Sequence, residues 1–134
     1  ALINPTLASY LTNSVVRGKL KSTFQNPTYG EVPIWQRGSL PGIGEVNGYN
    51  AFATNSVPST LSKGNASGVC SAMIFGVWDQ LFMGQWGGYE IIVDPYTLSD
   101  KAEVKTTIIT HANSAVGHPQ SFSAMVDILT DSDS

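Results

Sequence analysis

Apolar and polar positions follow two different periods along this chain. Leu7, Leu11 and Val15 fall at i, i+4 and i+8, with Ala8 beside them, which is one stripe of a helix. Asn4-Pro5 stands just before them, a capping residue followed by the residue favoured at a first helical position. The spacing predicts a helix over 5–17, ended by Gly18, with Arg17, Lys19 and Lys21 at the negative end of its dipole. Asn47-Gly48 signals a turn. Tyr49, Ala51 and Ala53 then alternate with Asn50, Phe52 and Thr54, so a strand is expected near 46–57, stopped by Pro58. Val69–Phe75 reads as a buried strand, and Trp78, Leu81 and Phe82 at i, i+3 and i+4 predict a short helix over 77–84. After a turn at Gly87-Gly88, strands are expected near 89–94, closed by Asp94-Pro95, and near 104–116, where Val104, Thr106, Ile108 and Thr110 share one face. Gly117-His118-Pro119 breaks the pattern, Phe122–Leu129 is a last apolar strand, and Thr130–Ser134 is an acidic tail.

The apolar side of each period gives an expected core of Leu7, Leu11, Trp78, Phe82, Ile91, Val93 and Ile108. Between Ser22 and Gly44 the pattern fails. Asn26-Pro27, Tyr29-Gly30, Gly38, Pro41-Gly42 and Gly44 all break regular structure, leaving room only for a short strand at Val32–Gln36. Yet this loop carries Phe24, Tyr29, Ile34, Trp35 and Leu40. A solvated loop has no use for such groups, so several of them are expected to be exposed for contact with neighbouring molecules, the alternative being that the aromatics fold back onto the domain's own core.

Composition narrows the class. A chain of 134 residues is one domain by length. Charged residues make up only 13%, against 42% hydrophobic, which describes a turn-rich folded domain with a weakly charged surface. The net charge of −3 excludes a generic basic nucleic-acid binder. The charge is uneven. Residues 1–64 hold five cations against Glu31 and Glu45, a net of +3, while residues 65–134 hold Lys101 and Lys105 against eight acids, a net of −6. Unlike halves suit head-to-tail contact between identical copies. The apolar runs at Ala72–Phe75 and Ile91–Val93 are far too short to span a membrane, and Ala1–Tyr10 has no signal-peptide pattern. Ala rather than Met at position 1 marks a processed product or an excised piece.

Candidate chemistry is sparse. Cys70 lies in an apolar run between Val69 and Ser71, the setting of a buried structural thiol rather than a nucleophile. His111 and His118 are seven apart, so on one strand they would face opposite ways and could not share a metal. Gly42-Ile43-Gly44 lacks the rest of a dinucleotide fingerprint, and Asn65-Ala66-Ser67 matches a glycosylation sequon that recurs by chance. Trp35, Trp78, Trp86, Tyr89 and Tyr96 could serve a core or a sugar-stacking face. No serine sits in a nucleophile elbow. No catalytic, cofactor or metal residue is assigned.

Several blocks, in order, resemble one family. Glu45–Pro58, Met73–Leu81 and Gly87–Pro95 are similar to successive segments of tailed-phage major capsid proteins of the Hong Kong 97 type, with Val77 where that family often has Asp. Asn4-Pro5 resembles the entry to that family's axial domain, and Val116–Phe122 its closing stretch. The resemblance implies an α+β fold: a mixed β-sheet from segments near 46–57, 69–75, 89–94 and 104–116, with helices near 5–17 and 77–84 packed on it. It implies that residues 1–112 are an axial-domain-like region and 113–134 a return segment toward the peripheral domain and the acidic tail. The arm, hairpin loop and spine helix of the family are not in this sequence, and no cross-linking residue carries over.

The implied function is structural: self-assembly into hexamers and pentamers of an icosahedral phage head, located in the virion capsid. Copies of the chain itself are the expected partners, with scaffold and portal proteins behind them, and neither sequence-specific nucleic acid nor membrane. No cofactor is implied. Phe24, Tyr29, Trp35 and Leu40 are the expected subunit contacts, on a loop that approaches the capsomer axis. The alternative is a secreted or surface carbohydrate-binding β-module using Trp35, Trp86 and Tyr89. A two-sheet sandwich would favour that module; a first helix packed on one sheet would favour the capsid piece.

Overall fold

In the computed structural model, which describes residues 4–130, Asn4 caps a turn but not the expected helix. Its side chain accepts from the amide and hydroxyl of Thr6, at 3.1 and 2.7 Å, and holds only a 3-10 turn, Pro5–Leu7. Strand β1, Ala8–Thr12, follows, and helix α1 occupies Ser14–Ser22. A spacing of four is also an even number, so Leu7 and Leu11 fit one face of a strand as well as a helix. The true cap is Asn13, whose Oδ1 accepts from the Val16 amide at 2.9 Å and completes one of the orphan donors of the first turn. Lys19 and Lys21 do fall in the last turn of α1, at the negative end of its dipole.

The other strands are β2 (Gln36–Arg37), β3 (Gly44–Val46), β4 (Tyr49–Ala53), β5 (Leu61–Lys63), β6 (Ala66–Val77), β7 (Leu81–Asp94), β8 (Lys105–Val116) and β9 (Phe122–Leu129). Seven of them form one mixed sheet in the order β2-β3-β4-β1-β6-β5, with β9 also paired to β6. β1 runs parallel to β4 and antiparallel to β6. The remaining pairs in this sheet are antiparallel. The fold is therefore α+β, as expected, with α1 packed on a single sheet. The second helix expected over 77–84 shrinks to a 3-10 turn, Trp78–Gln80, because Leu81 and Phe82 enter β7 instead.

The core lies under α1. Trp35, Val46 and Ala51 are buried together, with Tyr10, Leu20, Ile34 and Ala53 packed against them, and Val16 is fully enclosed. Gly44 makes this possible: a Cβ there would lie 2.1 Å from Trp35 Nε1, so only glycine lets the indole rest on β3. At the end of β1 a buried polar pair ties the layers. The Thr12 hydroxyl donates to the Ala72 carbonyl at 3.0 Å, and Asn13 Nδ2 donates to the Pro58 carbonyl at 3.1 Å. Tyr10, Tyr49 and Phe75 form an aromatic cluster, with Tyr10 and Phe75 centroids 4.5 Å apart.

Leu81–Gly117 forms a separate unit, a two-stranded antiparallel ribbon of β7 and β8. Between Trp86↔His111 and Glu90↔Ile109, β7 takes four steps to two on β8. Gly87-Gly88 sits in this bulge rather than in a chain-reversing turn. At the far end Asp94 accepts from the Tyr96 and Thr97 amides and the Thr97 hydroxyl, which fixes the reversal into β8.

The core expectation fails at five of its seven residues. Leu7 (49%), Phe82 (59%), Ile91 (62%), Val93 (58%) and Ile108 (64%) are exposed, while Leu11 and Trp78 are half-buried. Four of the five lie on the ribbon. Periodicity identifies an apolar face but not what covers it, and the ribbon's own residues supply no cover.

Candidate assembly surface

The segment between α1 and β3 is built from two ordered excursions. The first is a finger, residues 23–34. Its stem is closed by the Phe24↔Pro33 bridge and by the Gln25 amide on Val32 O and the Ile34 amide on Thr23 O, both at 2.8 Å. Its apex is a turn in which the Gly30 amide reaches Asn26 O at 3.0 Å and the Asn26 side chain takes the Thr28 amide at 3.0 Å. Asn26-Pro27 and Tyr29-Gly30 signalled this reversal, as residues that favour turns by hydrogen-bonding their own backbone or fixing it. The second excursion joins β2 to β3. There Pro41-Gly42 makes a tight turn, with the Ile43 amide on Leu40 O at 3.3 Å and Gly42 at φ +81, the pattern of a type II turn.

Exposure divides the four expected contact residues. Tyr29 is 73% exposed, Leu40 61% and Phe24 40%. Trp35, at 4%, turns inward onto β3 instead, so its expectation as a free side chain is corrected. The signal for this lay in Gly44, a small residue opposite a large one, which pattern reading treated only as a breaker. Trp35 still contributes to the surface, because its edge lines a cleft of about 280 Å³ with Arg17, Lys21, Arg37, Leu40 and Pro41. Sequence reading assigned Arg17 and Lys21 to the helix dipole and missed Arg37 altogether, since the three are brought together only by the fold.

Other candidates separate. Cys70 is 1% exposed on β6, a packed thiol as its apolar neighbours suggested. On the ribbon, His111 stacks on Trp86 with ring centroids 6.2 Å apart and planes 13° from parallel. Among the described residues, no three of His, Cys, Asp and Glu gather where they could hold a metal. Trp35 is in the core and Trp78 meets Phe122 edge-on at 5.4 Å, with its Nε1 donating to the Ser9 carbonyl at 3.2 Å. The sugar-stacking set of Trp35, Trp86 and Tyr89 therefore loses one member to packing. Two carboxylates are held below the usual range. Asp94 is lowered first by its Thr97 hydroxyl bond and then by the Tyr96 and Thr97 amides, and Asp127 by the hydrogen bond and charge of Lys63. Both belong to turns and strand pairing rather than to a reactive centre.

A family model described as the Phage capsid family matches residues 4–127. Among solved structures, a chain of the capsid of an empty GTA particle computed with C5 symmetry is similar at a TM-score of 0.61 and 14% identity. The similarity covers 90% of this chain and 38% of that one, and at this identity it is a likeness of fold. This chain thus spans less than two fifths of that capsid chain's length. No curated protein matches the sequence.

Proposed function

We infer that this chain, which belongs to the Phage capsid family, is a piece of a major capsid protein of the Hong Kong 97 type that builds hexamers and pentamers of an icosahedral head. Its place is the virion capsid. Residues 1–112 act as the axial-domain-like region and 113–134 as the return segment. The role is structural rather than enzymatic. Copies of the chain are its partners, with scaffold and portal proteins as further ones.

The observation that carries this reading is the loop between α1 and β3. Large apolar side chains, Phe24, Tyr29 and Leu40, stand exposed on a backbone that is fixed by hydrogen bonds. Apolar groups held rigidly in water are the mark of a contact surface. The weakly charged composition, with 13% charged residues, removes the electrostatic barrier that keeps highly charged domains apart.

The test uses the complete coat protein containing this chain, with sedimentation and electron microscopy as readouts. Wild-type protein is expected to give capsomers and closed shells. A triple substitution, Phe24→Ser, Tyr29→Ser and Leu40→Ser, should leave the circular dichroism unchanged and abolish both. Normal shells from the triple variant would remove this loop as the contact that builds them.

A further inference from the structure

The two excursions of the loop are complementary in chemistry. The cleft beside Pro41-Gly42 gathers Arg17, Lys21 and Arg37 over an apolar floor of Trp35, Leu40 and Ile43. The one ion pair among the described residues is Lys63–Asp127, so none of the three cations has a carboxylate of the described residues within 4.0 Å. At about 280 Å³ the cleft suits one or two side chains, well short of a folded element. The finger's apex offers such a pair. Tyr29 is 73% exposed, Glu31 is exposed two residues on, and Gly30 between them, at φ +61, shapes the turn.

We propose that the finger of one copy inserts into the cleft of the next, with Tyr29 on Leu40 and Ile43 and the Glu31 carboxylate against Arg17, Lys21 and Arg37. This rests on the capsomer reading above and names its contact. The finger and the cleft are different patches of one chain, so the contact is head-to-tail, and head-to-tail contacts close into rings when the rotation permits. The same geometry serves rings of different size, because the finger is a small element that takes its place side chain by side chain. Arginine suits this role. Its planar fork meets a carboxylate in two parallel hydrogen bonds and its flat face lies against aromatic rings.

The experiment is charge reversal combined with cross-linking in the complete coat protein. Glu31→Arg alone and Arg37→Glu alone each juxtapose like charges and should lower capsomer yield by about tenfold or more, with folding checked by circular dichroism. The double variant should recover most of that loss. In a second variant, Tyr29→Cys with Leu40→Cys, oxidation should produce a ladder of covalent multimers that ends at the ring size. Cys70 is buried and stays out of the reaction. Single reversals that assemble like wild type, a double variant no better than the worse single, or cysteines that remain free or bond only within one chain would overturn the proposal. Wild-type protein that forms no rings at all would instead overturn the capsomer reading, and this contact with it.

Discussion

Replacing Gly44 by alanine adds one methyl group to the chain and should destabilise it, against the usual expectation for such a change. In a strand, alanine is normally favoured over glycine by about 0.5–1 kcal/mol, because the unfolded chain has less freedom to lose. Gly44 does not occupy the left-handed region, so that gain is available. Opposing it, the new Cβ would lie 2.1 Å from Trp35 Nε1, 2.3 Å from Cε2 and 2.7 Å from Cζ2. Real Cβ atoms do not approach so closely, so the indole must move out of a site where it is 4% exposed. Overpacking of this kind costs about 1–3 kcal/mol, and the net loss is roughly 0.5–2 kcal/mol. With a urea m-value of about 1–3 kcal/mol per molar, the midpoint should fall by about 0.2–2 M in a denaturation followed by circular dichroism. Trp35→Phe removes the indole atoms that the methyl group meets. In a double-mutant cycle the pair should therefore be less harmful than the two single losses added, by about 0.5 kcal/mol or more. A Gly44→Ala variant as stable as the parent, or strict additivity with Trp35→Phe, would refute this account of the core.

Asn13→Ala removes a helix cap worth about 1 kcal/mol and one of two donors to the Pro58 carbonyl, which keeps the Ala72 amide at 3.1 Å, at about 0.5–1.5 kcal/mol more, so a loss of about 1.5–2.5 kcal/mol is expected by urea denaturation. Asn13→Asp, which keeps the cap and loses the donor, should fall between. Because the carboxyl of Asp94 is held below the ordinary aspartate value of 3.8 by its hydrogen bonds from Thr97 and Tyr96, its turn is stabilised above that pH and loosens as pH falls through the lowered pKa. The protection of the Thr97 amide, which donates to Asp94, measured as its exchange rate relative to the intrinsic rate at each pH, should fall in that range and not above it. Lys63→Ala should return the Asp127 carboxyl toward 3.8 in an NMR titration while barely moving the denaturation midpoint, since the pair is exposed on both sides and such pairs contribute little. Ile108→Ser, on the uncovered ribbon, should shift stability by less than about 0.5 kcal/mol.

The strands were the most legible part of the sequence, and burial the least. Alternation placed β8 and β9 nearly to the residue, β4 is shorter than the strand expected over 46–57, and Asn47-Gly48 marked the tight turn between β3 and β4. β1 and α1 were displaced because Leu7, Leu11 and Val15 satisfy both periods, and the stronger-looking Asn4-Pro5 hid the cap at Asn13. Trp78, Leu81 and Phe82 misled for a related reason: three positions are too few to separate a 3-10 turn followed by a strand from a helix. The candidate surface was readable as an apolar loop, since breakers and aromatics seldom mix without cause. The cationic cleft was not, because Arg17 and Lys21 on α1 and Arg37 on β2 meet only through the packing of Trp35.

The order of strands in the main sheet also dictates the order of events in folding. β1 is early in the chain, yet Tyr10 waits for Ala51 and Ala8 for Val77, and β6 in turn waits for Leu129 to face Cys70. The β2-β3-β4 and β5-β6 pairings can form from neighbours, but the pairs that join them into one sheet cannot. Such distant pairings are reached slowly, on the millisecond to second scale, because the chain entropy is lost before the contacts form. A nascent chain that has emerged only as far as Val77 carries β6 with one edge bare, so the sheet is completed only when β9 arrives.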